Sequence, residues 1–219
     1  MVEDKKRSML TLLRIRRAVS CLVTAVLLAL PVASAPAGSM DRTTAAPIEA
    51  LDQALVGIMR AGRQTPFQQR AAMLAPVVER AFDLPEILQI SVGPGWLTLS
   101  AEQQAALLAA FRQYTIASYV DNFDNYDGQR FVISPATRTL SDGRQVVDTQ
   151  LIPKTGTAHT LDYVMQKTDA GWKVVDVLAD GSISRVALQR SDFSALFDKG
   201  GAPALEARLH EKTEALSRG

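Results

Sequence analysis

The side chains that could do chemistry are few and scattered. The two histidines, His159 and His210, have no His, Cys or paired carboxylate near them at metal-ligand spacing. Both read as exposed surface residues, and no metal is expected. Asp121, Asp124 and Asp127 recur every third residue, but the EF-hand spacing and its closing Glu are absent, so they read as a solvated helix end. No GxSxG nucleophile elbow occurs. Gly93-Pro94-Gly95 is not a phosphate loop, because no GK[ST] follows it. The remaining carboxylate of interest is Asp176, inside the most apolar segment of the chain. Simple alternation puts it on one face with Trp172, Val174 and Leu178. A buried carboxylate needs a partner, and an Arg or a backbone N–H is the expected one. The residues thus supply no catalytic set and call for no cofactor.

The 219 residues suit one domain behind a processed leader. Lys5, Lys6, Arg7, Arg14, Arg16 and Arg17 precede the uncharged apolar run Ala18 to Leu30, and Ala33-Ser34-Ala35-Pro36-Ala37 follows. Basic, apolar, then small is the order of a secretory signal peptide, with cleavage expected after Ala37. The apolar run is short of the roughly 20 residues that a spanning helix needs. Loss of residues 1–37 leaves a net charge near −3 and no basic stripe, which argues against nucleic acid as a partner. It also removes Cys21, the only cysteine, and with it disulfides, a thiol nucleophile and thiolate zinc sites. Residues 38–46 read as a flexible new N-terminus and 47–219 as a single domain.

Helical periodicity dominates the first half. Pro47 suits a first helical position, and Ile48, Leu51, Leu55, Ile58 and Met59 form one face ending near Gly62. Thr65 is the expected cap of a second helix, with Pro66 at its first position and a kink or break at Pro76. Asp83 with Glu86, and Ser100 with Gln103, are capping-box pairs that open two more helices. The second of these is the longest. It is expected to run to about Tyr126, with Leu107, Leu108, Phe111, Tyr114, Thr115, Ser118, Tyr119, Asn122 and Phe123 on its 3.6-residue period.

After Asp127-Gly128 the period changes to two. Arg130 to Thr139, Gln145 to Ile152, Thr160 to Lys167 and the stretch from Gly171 read as four antiparallel strands, with Pro135 marking an edge or a bulge. Ser191 caps a closing helix that Gly200-Gly201 ends, and Pro203 opens another. The expected fold is α+β: helices packed on one face of a small antiparallel sheet of about four strands, with the long helix covering that face. This apolar supply is enough for either a solid core or a lined cavity.

Several segments together resemble the MlaC family of periplasmic lipid-binding proteins, also called the toluene-tolerance auxiliary family. They are Phe82-Asp83-Leu84; Gly95-Trp96 with Leu99-Ser100-Ala101-Glu102-Gln103; Phe111 and Tyr119; Tyr163; and Gly171-Trp172-Lys173-Val174-Val175-Asp176-Val177 with Gly181-Ser182-Ile183-Ser184. The resemblance spans roughly Ile48 to Leu209. Val175 stands where the family usually has an aromatic, and Ala187-Leu188-Gln189-Arg190-Ser191 replaces its usual Asn-Tyr-Arg-Ser-like segment. Ala179-Asp180-Gly181-Ser182-Ile183-Ser184 is similar to the hopanoid-associated branch, HpnM.

The resemblance implies a non-catalytic periplasmic shuttle that holds phospholipid or hopanoid tails in an apolar cavity. It implies exchange with an inner-membrane MCE-domain protein and its ABC transporter, and with an outer-membrane lipoprotein complex. The expected lining is Leu84, Leu88, Trp96, Phe111, Tyr114, Tyr119, Phe123, Val147, Tyr163, Met165, Trp172, Val174 and Leu178. If the other face of the last long strand points inward, Val175 and Val177 replace Val174 and Leu178. Two rival readings stay open: a small-ligand enzyme using Asp176, and a packed interaction module without a cavity.

Overall fold

The computed structural model describes residues 38–39 and 42–218, so the expected leader, 1–37, lies outside the described residues. Five helices are described: α1 (Arg42–Ala61), α2 (Phe67–Ala81), α3 (Leu84–Val92), α4 (Ala101–Asn122) and α5 (Arg185–Ser217), with a 3-10 turn at Gly93–Thr98. The strands are β1 (Gly38–Ser39), β2 (Arg130–Thr139), β3 (Gln145–Ile152), β4 (His159–Thr168), β5 (Gly171–Ala179) and β6 (Ile183–Ser184). They form one antiparallel sheet in the order β1-β2-β3-β4-β5-β6. The fold is α+β, as the segregation of helical and alternating periods implies.

Two capping predictions are met. Asp83 accepts from the Glu86 N–H at 3.2 Å, and Ser100 and Gln103 form a reciprocal capping box at the head of α4. Four boundaries differ: α4 ends at Asn122 rather than near Tyr126, and three helices start elsewhere than expected. α1 begins at Arg42, and Pro47 falls within it rather than opening it. α2 begins at Phe67, because the Thr65 hydroxyl donates back to the Ala61 carbonyl instead of capping forward. α5 begins at Arg185, well before Ser191, because the Ser184 hydroxyl accepts from the Ala187 N–H and caps there. α2 also continues through Pro76. Ala72 and Pro76 are both exposed, so the carbonyl that loses its donor faces water. Gly201, at φ 64° and ψ −160°, breaks α5 where a terminator was expected.

The sheet has two unlike faces. Leu161, Tyr163 and Met165 of β4, Val147 of β3, and Trp172, Val174 and Val177 of β5 belong to the main core. Val146, Val164 and Val175 form a small second cluster with Leu140 and Leu178 on the opposite face. Strict alternation would not put Val174 and Val177 together. A bulge at Val175 permits it: Val174 pairs with Met165 and Asp176 with Val164, leaving Val175 as the extra residue. The second bulge, between Ile133 and Thr137, surrounds Pro135.

The helix lying across the main face is α1, which packs on β2, β3 and β5, and not the long α4. Its buried stripe, Ala45, Ile48, Leu51, Leu55 and Ile58, follows the helical period. α4 packs mainly on α2, α3 and α5, with Phe111 edge-on to Phe193 at 6.0 Å. The helical layer is tied to the sheet where Phe82 bridges Val174 and the Asp83 N–H donates to the Val174 carbonyl at 2.9 Å.

The bulge also decides the place of Asp176. It shares the outer face with Val164 and Leu178, not the inner face with Trp172 and Val174. Its carboxylate accepts from the Val186 N–H at 3.1 Å, the Val177 N–H at 2.7 Å and the Ser184 hydroxyl at 2.5 Å. It therefore fixes the first turn of α5. Asp176→Ala is expected to cost about 1–3 kcal/mol in urea denaturation, because the Val186 donor is left unpaired. A loss below about 0.5 kcal/mol would mean that water replaces the carboxylate without cost.

Candidate functional site

Aromatic rings collect where the C-terminal end of α4 meets the sheet. The α-helical period brings Tyr119 and Phe123 to one side of α4, one turn apart. Tyr119 stacks on Phe123, with centroids 6.0 Å apart and planes at 14°. Phe82, at the α2–α3 joint, lies 5.7 Å from Tyr119. Phe131 of β2 lies 5.9 Å from Phe123. The row Phe82–Tyr119–Phe123–Phe131 thus crosses from the helical layer to the sheet. Phe82 is buried, but Tyr119, Phe123 and Phe131 are only partly covered, so apolar surface remains accessible along the row.

The predicted lining residues divide into groups. Val147, Tyr163, Met165, Trp172 and Val174 share the inner face of the sheet, and Tyr119 and Phe123 face it from α4. Leu84 and Leu88 are buried on α3, and Phe111 is buried against Phe193. Trp96 sits in the 3-10 turn, which packs against α5, and its carbonyl accepts from Gln104. Tyr114 faces α5, where the Lys212 ammonium stands 5.7 Å from its ring centroid. Leu178 is on the outer face and does not join this group. Phe82, Phe131, Ile133 and Leu161 were missed, and Val177 was expected only as the alternative to Val174 and Leu178, whereas it joins Val174 on the inner face. For Val177 the signal was masked by the bulge, and for Phe82 by its place at a helix joint.

A separate open cleft of about 530 Å³ lies at the α2–α3 corner beside the β4–β5 turn. Phe82, Leu84 and Leu108 give it an apolar wall, and Glu79, Arg112 and Lys173 a polar one. Arg112 is already paired with Glu79, and the Lys173 ammonium donates to the Glu79 carbonyl at 3.0 Å. Elsewhere, Asp124 pairs with Arg63, and His210 lies 3.7 Å from Glu206. Among the described residues no group of His, Cys, Asp and Glu is placed to hold a metal ion.

Among the described residues, one acidic side chain is buried in the helical layer. Asp52 occupies the inward stripe of α1, one turn after Ile48, and is 7% exposed. Both of its carboxylate oxygens are buried without a hydrogen-bond partner among the described residues. Burial, with a smaller contribution from the Glu49 carboxylate, raises its pKa to about 7. Its charge is felt by the hydroxyls of Tyr119 and Tyr163, both pushed up chiefly by burial. The sequence carried a signal for Asp52: it interrupts the apolar spacing from Ile48 to Leu55 at a position that spacing requires to be buried.

The MlaC protein family model matches residues 49–211. No curated protein matches the chain. Among solved structures, the chain is similar to the phospholipid-binding protein from Ralstonia solanacearum, solved in complex with a phospholipid. The two are 24% identical with a TM-score of 0.69, and the match covers 80% of this chain and 98% of that one. At that identity the likeness establishes a shared fold.

The raised pKa of Asp52 makes stability depend on pH. The folded protein holds this proton more tightly than the unfolded chain, from the usual 3.8 up to about 7. The cost of the buried charge is therefore absent below about pH 4, grows through the window between those values, and is full above about pH 7. Asp52→Asn is expected to stabilise the ligand-free protein by about 2–4 kcal/mol at pH 8, and by much less at pH 4.5. Urea denaturation at both pH values measures this, and an equal gain at both would contradict it.

Proposed function

This chain belongs to the MlaC family, and on that premise we propose that it is a periplasmic lipid-binding protein that acts without catalysis. The observation that carries this reading is the partly covered aromatic row from Phe82 to Phe131, set against the apolar inner face of the sheet. Accessible aromatic surface next to a core is what an apolar ligand needs in order to be held by dispersion and by release of water. The phospholipid carried by the Ralstonia solanacearum protein of the same fold supports a diacyl lipid as cargo, with a hopanoid as the other candidate.

In this reading the lipid tails enter a cavity between α1, the C-terminal half of α4 and the inner sheet face. Tyr119, Phe123, Val147, Tyr163, Met165, Trp172 and Val174 line it. Residues 1–37 direct export and are removed, and the rest of the chain, with β1 and the whole of α1 included, forms the lipid-binding domain. The protein then carries lipid between the inner and outer membranes. It exchanges cargo with an MCE-domain protein and its ABC transporter at one side, and with a lipoprotein complex at the other.

Energetics favour a carrier. Two acyl tails hold about 30 methylenes, each costing roughly 0.8 kcal/mol in water, so unaided crossing faces a barrier on the order of 20 kcal/mol. A dry cavity removes most of that barrier and asks for no reacting group.

The mature protein, purified from its own periplasm and examined by native mass spectrometry with solvent extraction, is expected to carry a stoichiometric diacyl lipid. A pentacyclic triterpenoid would make the cargo a hopanoid, and an empty protein from lipid-replete cells would sink the reading. Phe123→Ala removes one ring of the row and is expected to lower lipid affinity roughly tenfold, the equivalent of a single good aromatic contact. Unchanged occupancy in competition with the wild type would take Phe123 out of the lining.

A further inference from the structure

We propose that Asp52 selects the cargo: its carboxylate receives the ammonium group of an amine-bearing lipid, at the inner rim of the proposed lipid site. The inference rests on the lipid-binding reading and adds the headgroup class to it.

The geometry leaves Asp52 without a purpose in folding. It sits on the buried stripe of α1, flanked by Ile48, Leu51 and Leu55, where an apolar side chain would complete the face. Neither oxygen finds a donor among the described residues. A buried carboxylate with nothing to accept from is costly, and a donor brought by the ligand relieves it.

Charge then selects the donor. Glu49, one turn earlier and exposed, adds a second negative charge on the solvent side of Asp52. From Thr43 to Met59, α1 carries no Lys or Arg. The titratable groups facing Asp52 from the elements packed against it are the Tyr119 hydroxyl of α4 and the Tyr163 hydroxyl of β4, both neutral. Arg185, at the start of α5, is exposed and acts on Tyr119 rather than on Asp52. Two carboxylates on this part of α1 disfavour a headgroup of net negative charge and favour one whose phosphate is balanced by a cation. An ammonium that also donates hydrogen bonds satisfies both the charge and the orphaned oxygens.

The test offers delipidated mature protein an equimolar mixture of dioleoyl phosphatidylethanolamine and phosphatidylglycerol in vesicles, and native mass spectrometry reads the bound species. The wild type is expected to take phosphatidylethanolamine roughly tenfold over phosphatidylglycerol, the size of a charge-assisted hydrogen bond. Asp52→Asn, close in shape but uncharged, is expected to bring the ratio to within about twofold, and Asp52→Leu to do the same. Circular dichroism checks that each variant is folded, and the asparagine variant decides if the leucine one is not. Phosphatidylglycerol taken equally or preferentially by the wild type, or an ethanolamine preference that survives Asp52→Asn, overturns the proposal and leaves lipid binding standing. A wild type that takes up neither lipid overturns both. Mass analysis of lipid bound in the cell identifies the source of the amine, a glycerophospholipid or a triterpenoid.

Discussion

One backbone contact sets the relation between the two halves of the molecule. The Asp83 N–H reaches the Val174 carbonyl, and Phe82 pairs beside it on an otherwise open stretch of β5. Asp83 also caps α3, so one residue both ends the approach to the sheet and starts the helix leaving it. Phe82, fixed by this contact, is the inner end of the aromatic row. The position of Tyr119, and through it Phe123 and Phe131, follows from where the α2–α3 joint touches the strand.

Much of the architecture was legible in the residues because it is local. Capping boxes and the change of period after Gly128 each depend on a few neighbours in the chain. The Asp180-Gly181 turn has positive φ at both positions, as such a hairpin demands. What was not legible depends on partners distant in sequence. The start of α5 at Ser184 follows from Asp176, which reaches it across a turn. That α1 rather than α4 lies across the sheet follows from packing, and both helices carry a suitable stripe. The extra residue at Val175 shifts every side chain after it, which puts Val177 inside and Leu178 outside. A period of two, read from the sequence, has no means of reporting such an insertion.

The same limit explains why the candidate site was only partly found. Aromatic residues on a regular helix face, such as Tyr119 and Phe123, announced themselves. Asp52 gave only its break in the apolar spacing, and a single carboxylate on an apolar stripe looks like a helix edge until the neighbouring layer is in place. Asp162 is as deeply buried but lies on the outer face of the sheet, where one of its oxygens pairs with Arg138 at 3.1 Å. Arg138 thus meets one oxygen of Asp162, whereas neither oxygen of Asp52 has a partner among the described residues.

The two shortest strands have a consequence for how such molecules coexist at high concentration. β1 and β6, of two residues each, close the ends of the sheet order. β6 covers Leu178 and Ala179, and Phe82 occupies Val174 farther along the same border. At the opposite border β1 covers Ala136 and Thr137, next to the bulge around Pro135, which has no N–H to offer. Little uninterrupted backbone remains on which a strand from another chain could continue the ladder. A sheet that presents one greasy face is thereby kept from growing sideways, so its stickiness is directed inward, toward whatever the helices admit.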